Sequence, residues 1–283
     1  MTTDTYTQTK GIRLLGSIVE QVGPIFSIEE VLPIAHDQGL TPGDRRWLLS
    51  ALARSGWVTR IKRGVYAIRS PLFTEELHPF ALASALVEPM AISHWSALTH
   101  HGLTTQIPPM VQASTPKKVV TPEMRDGEAF RPRGRAVWRV LDVEVEFIYI
   151  EESRFFGFQQ EWVSRWNRVP IADRERTFLD MVARPDLFGG LEIAMETFDA
   201  HGHTLDLNQL VRYALRYDMG SLIKRLGWLL EELGISRGVT EPLQRYPVRT
   251  YYPLDPGRSR SGISTARWRI INNLSLEQSD ANS

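Results

Sequence analysis

Asp142, Glu144 and Glu146 alternate with Val143 and Val145, so on a strand the three carboxylates share one face. Convergent carboxylates are what a hard cation such as Mg²⁺ requires, and this spacing would suit a metal-dependent nuclease. Such a centre also wants a lysine beside it, which the neighbouring sequence lacks. The same letters describe a strand whose polar face meets water. The histidines offer less. His100 and His101 are adjacent, and on a helix their directions diverge by about 100°, so they are not expected to chelate together. His201 and His203 follow a helix end and have no third ligand in view. The absence of cysteine excludes disulfides, thiolate zinc sites, iron–sulfur clusters and cysteine nucleophiles. Gly189-Gly190 lacks the Lys-Ser/Thr of a phosphate loop, and no serine nucleophile elbow occurs. No catalytic residue, metal or cofactor is therefore expected.

Positive charge carries more information. Between Thr41 and Arg69 there are seven basic residues and one acid, a local charge of +6, whereas the whole chain balances 33 basic against 33 acidic residues. Charge segregated in this way is rewarded by counterion release from nucleic-acid phosphates. At 100° per residue, Arg46, Ser50, Ala53 and Arg54 fall on one side of a helix, opposite Leu48, Ala51, Leu52 and Ser55. Arg46, Ser50 and Arg54 would then face a major groove, where arginine bonds guanine O6 and N7 and the small Ser50 permits close approach. Arg45, Arg60, Lys62 and Arg63 would hold phosphates or enter the minor groove. A basic helix alone describes a solvated face equally well. The elements around this one are what argue for a groove.

Thr41 is placed to cap that helix, Pro42 suits its first position and Asp44 its first turn, while Gly56 supplies the stop. Trp57–Ile61 and Val65–Ile68 read as two strands joined by Lys62-Arg63-Gly64, a candidate wing. Upstream, the spacing of apolar residues predicts a helix from Lys10 to Val22. Ser27 and Glu30 resemble a capping box opening a second helix as far as Gln38, with Pro33 as a kink. Two helices, a turn, a third helix and two strands is the order of a winged helix-turn-helix.

Ser70 to Pro79 carries two prolines and no period, and reads as a link. The length suggests two domains, a winged helix-turn-helix over residues 1–75 and a larger α+β domain over 76–283 with a small antiparallel sheet and a helical C-terminal part. Its expected strands lie near Met110–Ser114, Ala136–Leu141, Val143–Ile150 and Arg168–Ile171, with Val248–Tyr252 and Arg267–Ile271 as later returns. Its helices lie near Pro79–Leu86, His94–His101, Asp173–Ala183, Phe188–Ala200, Leu207–Tyr217 and Ser221–Leu233. Met1–Thr9 and Leu276–Ser283 are polar and expected to fray. No apolar run reaches the ~20 residues of a membrane span and the start lacks a signal pattern, so a cytoplasmic protein is expected.

Two further basic stretches are candidate secondary contacts. Thr115–Arg139 has a charge of +4 and includes Lys117, Lys118, Arg131, Arg133 and Arg135; Arg237–Arg269 has +5 with Tyr246, Tyr251, Tyr252 and Trp268 interleaved. Basic residues among aromatics suit RNA or an acidic protein partner, and as loops they are equally solvated surface. Val140–Ala200 is by contrast at −7.

Three segments in order, Gly56-Trp-Val-Thr-Arg-Ile-Lys-Arg-Gly-Val-Tyr66, Ile92-Ser-His-Trp-Ser-Ala-Leu98 with His101-Gly-Leu103, and Arg174-Glu-Arg-Thr-Phe-Leu-Asp180 before Arg184-Pro185, resemble the AbiEi-type antitoxins of abortive-infection operons. The similarity runs from the first helices to about Phe198. It implies a winged helix that represses the operon's own promoter by binding inverted repeats as two copies. It also implies a C-terminal domain that counters a nucleotidyltransferase-like toxin without catalysis of its own. Read from the residues alone, DNA binding stands beside two alternatives: an RNA-binding or protein-docking module, and a metal-dependent nuclease built on the acidic strand.

Overall fold

The computed structural model describes residues 2–70, 73, 76–127 and 135–274. The chain starts with α1 (Thr2–Gln21), β1 (Ile25–Ser27), α2 (Ile28–Asp37), α3 (Pro42–Arg54), β2 (Val58–Lys62) and β3 (Val65–Ile68). Local hydrogen bonding sets the helix starts. Ser27 Oγ accepts from the Glu30 amide while the Glu30 carboxylate accepts from the Ser27 amide. Thr41 and Asp44 repeat the arrangement at α3, and the Thr41 hydroxyl, donating to the Asp44 carboxylate at 2.6 Å, together with the Thr41 amide holds that carboxyl below its ordinary pKa. Helix α1 begins at Thr2, eight residues ahead of the apolar periodicity that predicts it. Pro33 sits inside α2, which still runs to Asp37.

β1 was not expected, because three residues are too few to display an alternating pattern. It pairs antiparallel with β3, in the sheet order β1-β3-β2. The hairpin is thus part of a three-stranded sheet with two covered faces. On one, Phe26, Val58 and Ile68 pack with Leu14 and Ile18 of α1, Ile34 of α2 and Leu48, Leu49 and Leu52 of α3. Leu49 belongs to the buried side of α3, and Ser55, assigned there from the helical angle, is exposed. On the other face, Ile25, Ile61 and Ala67 join a second core around Leu82, Ala83 and Leu86 of α4 (Pro79–Leu86). Gly23 turns with φ +112° directly over Trp166, where a Cβ would lie 2.7 Å from the Trp166 Cβ, so only glycine fits that crossing.

The rest of the chain continues with β4 (Ala91–Ile92), α5 (His94–His100), β5 (Val111–Thr115), α6 (Pro122–Arg125), β6 (Arg135–Val140) and β7 (Val143–Tyr149). Next come β8 (Phe158–Trp162), β9 (Arg168–Ala172), α7 (Arg174–Ala183), α8 (Leu191–His201), α9 (Leu207–Tyr217), α10 (Gly220–Glu232) and α11 (Arg237–Arg245). The short strands β10 (Tyr252–Pro253), β11 (Ile263–Thr265) and β12 (Ile270–Asn272) close the series. The first six of these strands form one sheet, ordered β6-β7-β5-β4-β9-β8. It is mixed, not antiparallel as expected, because β5 pairs parallel with β7 and β4 parallel with β9. Periodicity reports that a residue is in a strand and is silent on which strand lies beside it.

Helices α7 to α10 enclose the largest core, with Phe178, Leu179, Leu210, Ile223, Leu226 and Leu229 at its centre. Within it Arg176 is completely buried. Its guanidinium donates to Asp180 at 2.9 Å, one turn on, and to the carbonyls of Arg154 and Phe156 at 2.7 and 2.8 Å. The Arg-x-x-x-Asp spacing of the third resembling segment is therefore a buried ion pair, which removal of either partner would leave uncompensated.

Candidate nucleic-acid interface

Ala53, Arg46, Ser50, Arg54 and Trp47 occupy successive directions on the solvent side of α3, and all are exposed. Trp47 is a large apolar side chain at 48% exposure at the edge of this basic arc, next in direction to Arg54. It was not assigned a role from the sequence, although its place three residues before Ser50 puts it beside that residue on the helix surface. Arg54 Nε leans back on the Ser50 carbonyl at 3.4 Å, and Arg45 is half-buried at the flank of the helix. The small residues Gly43, Ser50 and Ala53 leave the centre of the arc low between its longer side chains.

The hairpin divides its cations into two kinds. Arg60 and Arg63 are exposed, with Arg60 Nε donating to the Lys62 carbonyl across a bulge between Arg60 and Lys62. Lys62 points elsewhere. Its ammonium donates at 3.0 Å to the carbonyl of Leu86, the last residue of α4, where a helix leaves its carbonyls without partners. Burial depresses its pKa, opposed by the nearby Glu88 and reinforced by the positive charge of Lys117. Lys62 thus ties the hairpin to α4, a correction to its expected role on phosphate. The reason is a contact 24 positions away. Lys117, whose positive charge acts on Lys62, and Lys118 are both exposed on the loop after β5.

The other sequence candidates are drawn into internal pairs. Arg135 bonds Glu146 at 2.6 Å through Nε, and Glu146, only 3% exposed, also accepts from Gln112. Arg131 and Arg133 lie outside the described residues. Asp142 sits in the turn before β7 facing Arg69 at 3.7 Å, Glu144 pairs with Arg139, and Glu146 with Arg135. The acidic row is therefore neither a solvated face throughout nor a convergent triad, since each carboxylate has its own arginine. In the C-terminal stretch, residues 237–245 form a helix where loop was expected. Arg267 clasps Glu231, Tyr246 donates to Asp218, and Trp268 is buried against Gly227. These aromatics are packing elements and no stacking platform. The rings of His100 and His101, expected to diverge, stand 5.2 Å apart between centroids at an interplanar angle of 73°.

Three helices over a three-stranded antiparallel sheet, with a charged face on the third helix and a hairpin beside it, define an N-terminal unit of winged-helix type. Residues 16–69 match the model of a family described as "Transcriptional regulator, AbiEi antitoxin". That segment runs from within α1 to the end of the hairpin. The fold of the whole chain is similar to the crystal structure of the RV2827C protein from Mycobacterium tuberculosis, at a TM-score of 0.63 and 16% identity over 96% of this chain and 94% of that one. No curated protein matches the chain. No helix among the described residues is long and apolar enough to cross a membrane.

Proposed function

We propose that this protein is a sequence-specific double-stranded-DNA-binding repressor of its own promoter and the antitoxin of an abortive-infection pair. Residues 1–75 would form the DNA-binding domain and residues 76–283 the domain that counters a nucleotidyltransferase-like toxin, without catalysis of its own. The observation that carries the DNA-binding part is the exposed arc of Arg46, Ser50 and Arg54 on a capped helix, flanked by exposed Arg60 and Arg63. The family matched by residues 16–69 supports both parts. Arg46 and Arg54 read bases, Arg45, Arg60 and Arg63 hold phosphates, and Lys117 and Lys118 extend the positive surface beside the hairpin. Two copies on an inverted repeat would double the contact.

A mobility-shift assay on the duplex upstream of the gene tests this reading. The wild type is expected to retard that duplex ahead of a scrambled one, and Arg46→Ala with Arg54→Ala to abolish the preference. A preference that survives the double substitution refutes the assignment. Tighter binding to single strands than to any duplex would point to the RNA-binding alternative. Co-expression with the neighbouring toxin gene tests the antitoxin role, and growth arrest unrelieved by this chain would refute it.

A further inference from the structure

We propose that His100, His101 and Glu161 form a binding site for a divalent transition-metal ion of the zinc class, clipping the end of α5 to the sheet edge at β8. One ligand atom from each residue lies within 4.8 Å of the other two. Nitrogen and oxygen ligands bound to zinc at ~2.0–2.1 Å stand about 3.3 Å apart in a tetrahedron, so small side-chain rotations close the set. Those rotations are open to His100 and Glu161, whose side chains are 26% and 33% exposed.

The arrangement around the ligands sets their chemistry. His101 Nε2 lies 2.6 Å from the carbonyl oxygen of Ala172 at the end of β9. A carbonyl only accepts, so Nε2 carries the hydrogen and Nδ1 keeps its lone pair. An imidazole ligand oriented by a backbone carbonyl in this way is the usual outer support of a metal site. His100 Nε2 and Glu161 Oε2 converge to 2.7 Å, and a metal ion takes the place of the proton they share, with His100 moving its hydrogen to Nδ1. The C-terminal end of α5 contributes partial negative charge, which favours a cation. Two imidazoles and one carboxylate, with no thiolate, select Zn²⁺, Ni²⁺ or Cu²⁺ over Mg²⁺ or Ca²⁺.

Titration of the metal-free full chain with Zn²⁺ against a chromogenic chelator, in a non-coordinating buffer near neutral pH, decides the matter. One ion per chain is expected. His100→Gln and Glu161→Gln should each weaken binding by roughly tenfold or more. His201→Gln with His203→Gln should leave it unchanged. Zn²⁺ should also raise the melting temperature of the wild type and not of Glu161→Gln, which sits on an edge strand and keeps the fold. Absence of stoichiometric binding, equal binding by both ligand variants, or loss of binding in the His201/His203 variant would overturn the proposal.

Discussion

Removing single positive charges from the β2–β3 hairpin should distinguish cations that meet phosphate from the one that braces the fold. Each phosphate neutralised contributes about 0.9 to the slope of log affinity against log salt. Arg45, Arg60 and Arg63 are the partly or fully exposed phosphate candidates of the N-terminal unit; Arg69 faces Asp142, and Lys62 is spent on the Leu86 carbonyl. Three contacts give a slope of about −2.7 per copy, which is a roughly 40-fold loss of affinity between 50 and 200 mM salt. Arg63→Ala should bring the slope to about −1.8 and the loss to roughly 12-fold. Lys62→Gln should leave the slope unchanged and lower stability by about 1–3 kcal/mol, through the lost bond to the end of α4. Fluorescence anisotropy at four salt concentrations reads the first quantity and urea unfolding the second. Two copies on one duplex double every slope and preserve the contrast. A Lys62→Gln slope flattened as much as that of Arg63→Ala, or an Arg63→Ala slope equal to the wild type, refutes the division.

Asp180→Asn removes the charge facing the fully buried Arg176 and is expected to cost about 3–5 kcal/mol in urea unfolding, because an isolated buried guanidinium has no solvent to fall back on. A loss below 1 kcal/mol would mean that the Arg154 and Phe156 carbonyls already suffice. Gly227→Ala drives a Cβ into the Trp268 ring and should destabilise by about 1–3 kcal/mol or more, with partial rescue by Trp268→Leu in thermal melts. Additive losses in that pair would show that the two do not share the contact. The Arg267 guanidinium, helped by the Trp268 and Thr240 hydrogen bonds and opposed by burial, holds the Glu231 carboxyl down to about 2 from an ordinary 4.5. With the folded pKa below the unfolded one, this stabilisation is complete above about 4.5 and is lost as pH falls toward 2. The stability gap between wild type and Glu231→Gln should therefore close over that range in acid-titrated unfolding curves, and a gap that persists at pH 2 would contradict it.

What could be read directly from the residues was local. Thr41 with Asp44, Ser27 with Glu30 and Asp173 with the Arg176 amide are groups three positions apart, and each specifies a helix start without help from elsewhere. The basic arc of α3 and the hairpin after Gly56 follow from helical and strand periods in the same way. Tertiary structure alone decided the rest, because it depends on which distant segment supplies the partner. β1 exists only as a strip along β3. Lys62 is taken by Leu86, Glu146 is buried under Arg135 and Gln112, and His101 is oriented by Ala172, 71 positions on. A side chain's charge and size are written in its letter. Whether that charge meets water, a phosphate or a carbonyl is settled only when the segments pack, since burial and pairing are properties of the neighbours and not of the residue.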